Sequence, residues 1–277
     1  MKIIIFGATG YFGSHFVEAF QQKGWEVVTD RIDITNKADI FEHIQNTQPD
    51  VVLNAAGITG VPNVDWCESH PREVIDVNVS GAINIAAVCY ELNTYCAYIS
   101  SGCIYTGSHL FTEEDTPNFY GSLYSRTKLH AEQLLAELDI LQLRVRIPIE
   151  GKPHRKNVID KLKNYEKIIS IENSFTIIED FIPAAVQLIE QKNTGIFNMT
   201  NEGSMDHKYL MENFRKIVDN SKEFDYMSLE ELAQYTKAGR SNCTLNTDKQ
   251  KKYGIHMPPI QERVLEILED YKNNLHA

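Results

Sequence analysis

Residues 2–13 read KIIIFGATGYFG. After Lys2 the run to Phe6 is wholly apolar, the pattern of a strand buried on both faces. It passes directly into Gly7, Gly10 and Gly13, spaced G-x-x-G-x-x-G. In that setting the first glycine permits a tight turn, the second lets the backbone approach a pyrophosphate, and the third lets the next helix pack on the strand. That helix, predicted over Tyr11–Lys23, aims its free amides and its dipole at the same spot. Glycines at this spacing also occur in purely structural turns, so the strand before and the amphipathic helix after select the phosphate reading. Gly7, Thr9, Gly10, Tyr11, Phe12 and Gly13 are the predicted cradle.

Outward from the cradle, Trp25 to Thr29 is a second strand, and Asp30 or Arg31 follows where a ribose would be read. An acid there favours the free 2′-hydroxyl of NAD, whereas an arginine accommodates the 2′-phosphate of NADP. Arg31 tilts the expectation to NADPH and leaves NADH open. Asp33 and Ile34 fall where an adenine-edge contact is expected; Asp33 equally suits a cap, with Thr35 and Asn36, for a helix over Lys37–Gln45. A third strand, Asp50–Ala55, runs into Asn54-Ala55-Ala56-Gly57, small residues that let a cofactor lie against the backbone. Residues 57–71, GITGVPNVDWCESHP, are too polar and too rich in Gly and Pro for a regular element, and they follow a strand's carboxyl end, where open α/β sheets bind ligands. In the long helix predicted from Arg72 to Leu92, Asn78 either bridges backbone and active site or bonds locally.

Residues 99–128, ISSGCIYTGSHLFTEEDTPNFYGSLYSRTK, carry the chemistry. A buried strand, Tyr95–Ile99, opens into Ser-Ser-Gly, putting Ser101 and Cys103 at the mouth of the crevice. After an acidic loop the pattern turns helical, and Tyr124 and Lys128 stand four apart on one helix face. Alone, such a pair is ordinarily a surface feature; a strand-end serine upstream and the N-terminal cradle, in this order, favour catalysis. The set suits reduction of a carbonyl: Ser101 hydrogen-bonds its oxygen, Tyr124 gives the proton, and the Lys128 charge lowers the phenol's pKa. An unassisted phenol, with a pKa of about 10, is a poor acid near neutrality.

The catalytic helix continues through Glu137, and a strand over Leu141–Ile147 ends at Pro148. These alternating elements predict a Rossmann-type doubly wound parallel sheet over residues 1–150. Residues 151–277 are expected to form a smaller C-terminal substrate-binding lobe, interleaved with the first. It opens with a basic loop, GKPHRKN, and a helix from Asn157 to Lys167 holding Lys161, a lysine that is ordinarily solvated in such a place. Short strands are predicted over 174–178 and 195–200. Helices are predicted over 179–191, 206–219, 229–236 and 259–273. Arg240, in KAGRSN, is a candidate for a diphosphate because its planar fork matches phosphate oxygens.

With 277 residues the chain can bury a complete core, and its net charge of −11 argues against a nucleic-acid or anionic-membrane surface. Five cysteines, odd in number and without ligand spacing, argue against a disulfide framework and against a metal site. A strand beginning at Lys2 leaves no room for a signal peptide, and no apolar run reaches the ~20 residues of a membrane span. A cytoplasmic protein is expected.

With GATGYFG, NAAG, SSGCIY and YSRTK in this order, nearly the whole chain resembles the extended short-chain dehydrogenase/reductases. Within them, GITGVPNVDWCESHP, EEDTPNF, RIPI and NYEKIISIENSFTI resemble the bifunctional 3,5-epimerase/4-reductases of UDP-rhamnose biosynthesis, and RSNCTLNTDK is similar to the closing motif of dTDP-4-dehydrorhamnose reductases. The resemblance implies a 4-keto-6-deoxyhexose on a nucleoside diphosphate as substrate and a rhamnose nucleotide as product. It implies Ser101, Tyr124 and Lys128 as the reducing set, and Cys103 with Lys161 as the epimerising pair. Lys128 also falls among the cofactor contacts, with Pro148; Thr59, Asn63, Cys103, Asn157 and Arg240 fall among the substrate contacts. A C4 ketone acidifies the protons at C3 and C5, and a thiol, with an ordinary pKa of about 8.5, exchanges protons near neutrality after a modest shift. Which of the two is base, whether the carrier is UDP or dTDP, and the oligomeric state stay open; a homodimer through sheet-flanking helices is common in the superfamily. Two alternatives stand beside this reading: a simple 4-reductase, and a cofactor-binding regulatory subunit, against which Tyr124 and Lys128 argue.

Overall fold

The computed structural model describes residues 1–275. Six parallel strands make the central sheet: β1 (Lys2–Phe6), β2 (Glu26–Val28), β3 (Val51–Asn54), β4 (Tyr95–Ser101), β5 (Leu141–Val145) and β6 (Gly195–Asn198). Their order across the sheet is β2-β1-β3-β4-β5-β6. The winding therefore reverses between β1 and β3, and the carboxyl ends of those strands flank the crevice where such sheets take ligands.

The period of two explains why β1 is apolar throughout. Ile3 and Ile5 pack with Phe16, Phe20 and Phe181 on one side, while Ile4 and Phe6 pack with Ile40, Ile44 and Ile85 on the other. Helices thus cover both faces. A third core, built on Phe175, Phe214, Val264 and Tyr271, belongs to the C-terminal residues. Because β6 lies beyond residue 150 yet pairs with β5, the later part of the chain returns to complete the sheet.

The helical run Pro71–Glu91 is not uniform: residues Asp76–Gly81 form a π-helical segment between α-helices Pro71–Ile75 and Ala82–Glu91. The run has the length and mean hydropathy, 1.2, of a membrane span, more than its sequence suggests at sight. Its Ile85, Ala86, Val88 and Cys89 are buried with strand residues Val52 and Cys96, the environment of a core helix. Other elements also depart from expectation. The polar loop after β3 holds one helical turn, Asp65–Glu68, with the Asn63 carboxamide accepting from the Asp65 amide at 2.9 Å. The helix carrying Lys161 stops at Leu162, and Lys167–Ile169 becomes a strand paired with Asp225–Met227, an element without a sequence signal of its own. Leu110–Phe111 likewise pairs with Thr244–Leu245, tying the acidic loop to the C-terminal segment.

Candidate active site

Gly7 has φ +78°, and a Cβ there would sit 2.6 Å from Ala56 Cα. A Cβ on Gly13 would lie 2.1 Å from the Gly7 carbonyl oxygen. Strand, turn and helix therefore close on one another with no room for side chains, and the Tyr11–Gln22 helix begins without a side-chain cap, its first amides left for a ligand. This cradle fits a dinucleotide pyrophosphate. Thr9 is exposed at its rim. Tyr11 stacks on His154 at 4.6 Å, and Phe12 meets Phe181 edge-on at 5.6 Å, so those two rings pack inward. Asn54 is buried and accepts from the Ala56 amide at 3.0 Å, shaping the turn through Ala55, Ala56 and Gly57.

Arg31 is exposed beyond β2. Asp33 does not cap the following helix: Asn36 does, while Asp33 accepts from both the amide and hydroxyl of Thr35, which hold its carboxyl below the usual range. Ile34 is buried against Gly81, and its carbonyl accepts from Asn84.

Ser122 caps the Leu123–Leu135 helix by accepting from the Ser125 amide. Glu68 accepts from the Leu123 amide at that same end, where a carboxylate is favoured by the helix dipole. Tyr124 projects from the first turn. Burial pushes its phenol above the ordinary range, the neighbouring Cys103 adds to this, and the Ser101 hydroxyl opposes it. Ser101, Cys103 and Tyr124 thus share one environment. Ser101 also accepts from the Cys103 amide at 3.1 Å.

Lys128, one helical turn after Tyr124, is buried. Its ammonium donates to the Tyr98 hydroxyl and, at 2.7 Å, to the Ile99 carbonyl. Burial pulls its pKa down to about 7, against the attraction of Glu132. The ammonium expected beside the phenol is thus a buried one, held by Tyr98 and the Ile99 carbonyl. Asn78 makes more than a local bond: it pairs with both the amide and the carbonyl of Ile58 and donates to Thr127, joining the loop after β3 to the helix that bears Tyr124.

Cys103 has two cations near it. Arg146 Nη1 is 3.4 Å from its sulfur, and Lys161 is close enough for Cys103 to oppose the lowering of its pKa. Lys161 forms no ion pair among the described residues; burial first, and then Lys156, lower its pKa. Arg146, 1% exposed, also donates to Asn173 and to the Ser241 carbonyl and hydroxyl, with no carboxylate partner among the described residues. Next to it Ile147 has φ +37°, a strained value for a β-branched residue, just before Pro148 starts a short strand with Thr176–Ile177.

The substrate candidates divide. Thr59 is half-buried in the loop after β3. Asn63 is engaged by the Asp65 amide, and Asn157 is fully buried, accepting from the Ile159 amide and donating to the Glu150 and Lys152 carbonyls. Asn157 therefore sets the start of the Lys161 helix. Arg240 is held by both oxygens of Asp65, at 3.0 and 3.1 Å, and donates to the Ala238 carbonyl. Sequence reasoning missed Tyr98, Arg146, Glu68 and Asp65. Only the period of two in β4, which sets Tyr98 beside Ser100 on one face, offered a signal for any of them.

This fold and this cluster define a dinucleotide-dependent enzyme of the short-chain dehydrogenase/reductase type. The chain belongs to the RmlD substrate binding domain family, whose model matches residues 1–273. It is 36% identical to the bifunctional dTDP-4-dehydrorhamnose 3,5-epimerase/dTDP-4-dehydrorhamnose reductase of Arabidopsis thaliana, over 96% of this chain and 92% of that one. It is 35% identical, over 96% of its length, to the trifunctional UDP-glucose 4,6-dehydratase/UDP-4-keto-6-deoxy-D-glucose 3,5-epimerase/UDP-4-keto-L-rhamnose-reductase RHM1 of the same plant, of which it spans only 41%. The crystal structure of the L780 UDP-rhamnose synthase from Acanthamoeba polyphaga mimivirus superposes with a TM-score of 0.94 at 32% identity, covering 98% of this chain and 99% of that one. The fold is shared with dTDP-4-dehydrorhamnose reductase from Bacillus anthracis in complex with NADP, with a TM-score of 0.81 at 20% identity and 96% and 98% coverage.

Proposed function

We propose that this protein makes a rhamnose nucleotide from a 4-keto-6-deoxyglucose carried on a nucleoside diphosphate, by 3,5-epimerisation followed by reduction at C4. The cofactor is NADPH, which when bound supplies the hydride. The observation that carries the reading is the proximity of Cys103 to Ser101, to Tyr124 and to Lys161. UDP is the carrier we favour, because the relative that matches end to end at 32% identity is a UDP-rhamnose synthase.

Ser101 and Tyr124 hold the C4 oxygen. While that oxygen accepts their hydrogen bonds, charge left by a proton removed from C3 or C5 spreads onto it. Cys103 and Lys161 are the exchanging groups. Lys161, its pKa lowered by burial, can give up a proton nearer neutrality than an exposed lysine, and it needs no prior break of an ion pair. Once C4 is reduced, Tyr124 delivers its proton to the new hydroxyl. The Lys128 ammonium, held beneath by Tyr98 and Ile99, keeps a positive charge in that interior.

The test is isotopic. Turnover of UDP-4-keto-6-deoxyglucose with NADPH in deuterated water gives rhamnose labelled at C3 and C5. Product without label at those carbons, or turnover only after a separate epimerase is added, would leave reduction alone standing. With Cys103→Ser the label is lost while a pre-epimerised ketone is still reduced.

A further inference from the structure

Strand β4 and the catalytic helix meet in a matching register. Residues two apart on a strand rise about 6.7 Å and residues four apart on a helix about 6 Å, so two strand positions can face two helix positions. Here Tyr98 faces Lys128, and Ser100 faces Glu132, to which its hydroxyl donates at 2.7 Å. The second pair is completed by Arg144, which closes a two-point ion pair on Glu132 at 2.8 and 2.9 Å. Glu132 is thereby committed to Arg144 and Ser100. Lys128 is left with the Ile99 carbonyl and one side chain, Tyr98, whose ring also lies 4.1 Å from the ammonium.

We infer that Tyr98 is a positioning residue for the reduction: its hydroxyl and ring hold the Lys128 ammonium in the interior, and so set the pH above which Lys128 loses its charge. Tyr98 is 1% exposed, and its hydroxyl has Lys128 as its partner. Around Lys128 stand Tyr98 from β4, Tyr124 and Glu132 from its own helix, Arg144 from β5, and, through Thr127, the uncharged Asn78 of the π-helical segment. Among these, Tyr98 alone contacts the ammonium through a side chain. Removing its hydroxyl withdraws an acceptor from a buried charge, so the lysine surrenders its proton at lower pH.

The experiment uses the whole protein labelled with 13Cε-lysine, with the Lys128 resonance assigned by its absence in Lys128→Met. In Tyr98→Phe the titration midpoint falls by about one pH unit relative to wild type. In Tyr98→Leu, which also lacks the ring, it falls further. The alkaline limb of kcat for ketone reduction moves down by the same amount, an arm that rests on the function proposed above. A wild-type midpoint in both variants, each first shown to be folded by its thermal transition, overturns the inference. A shifted midpoint in a protein that reduces no 4-keto sugar would leave the hold of Tyr98 on the Lys128 ammonium standing and sink the reductase reading instead.

Discussion

Around Gly7 the molecule is held by backbone against backbone; around Cys103 it is held by side chains that arrive from distant parts of the chain. In the first region a Cβ on Gly13 would lie 2.1 Å from a carbonyl oxygen, so residue type follows from local sterics. In the second, Arg146 reaches from the end of β5 to Cys103, Asn173 and Ser241. One region tolerates almost no change in shape. The other depends on a few polar pairs whose loss leaves the backbone in place but moves charge.

The largest effect expected from this contrast is that of Gly13→Ala. The obstructing atoms are backbone, Gly7 O and C and Ala8 Cα, so no flexible side chain can move aside. We expect a stability loss of about 2–4 kcal/mol, and a fall of at least about 100-fold in NADPH affinity in whatever protein stays folded. Gly203→Ala is the control: its φ is +82° but nothing lies within 4 Å, so strain alone should cost about 1 kcal/mol. Chemical denaturation of the two variants, with fluorescence titration of NADPH, measures the difference. Equal losses would mean that the cradle is no more sterically committed than an open turn.

The same contrast explains what was legible in the sequence. Six strands, the cradle and the order Ser101, Tyr124, Lys128 follow from periodicity and spacing, because each is dictated within a few residues. Lys128 was legible as a residue but not in its surroundings, since the contact with Tyr98 spans 30 positions. Asn157 and Asn63, named by the resemblance as substrate contacts, each also accept from a backbone amide two residues on, a local bond that depends on loop geometry. The strand Asp225–Met227 is defined by its partner, Lys167–Ile169, rather than by any pattern of its own.

A second, intermediate effect concerns the buried charge. In the folded protein Lys128 titrates near 7, whereas an unfolded lysine titrates near about 10.4. Between these values the unfolded chain holds more protons, so the penalty for burying the ammonium is complete below pH 7 and fades as pH rises towards 10. Relative to wild type, Lys128→Met should therefore be most stable near pH 6 and give back about 2–4 kcal/mol of that relative advantage by pH 10. Melting curves across that range measure it. A pH-independent difference would mean that Lys128 keeps an ordinary lysine's affinity for its proton.

The smallest effect tests the polar region at its rim. Asp65, on the turn after β3, holds Arg240 through both oxygens and also accepts from the Ala238 amide at 2.9 Å. Burial alone would raise its carboxyl, but Arg240 and the backbone amides outweigh it and hold it below the usual range. A depressed carboxylate stabilises above its unfolded pKa, and the contribution fades as acid protonates it. Asp65→Asn should thus cost only about 0.5–1 kcal/mol at pH 7, with the difference shrinking as acid takes the pH below the ordinary carboxylate range. Three of the guanidinium's hydrogens are committed to Asp65 and Ala238, which leaves Nε and one Nη2 hydrogen to meet a diphosphate in a fixed plane. With that plane released, KM for the nucleotide sugar should rise about 3–10-fold while kcat holds, because the contact is made equally in ground and transition states. An unchanged KM would mean that Arg240 only ties the C-terminal segment to the β3 turn, and the diphosphate would have to be held by other residues.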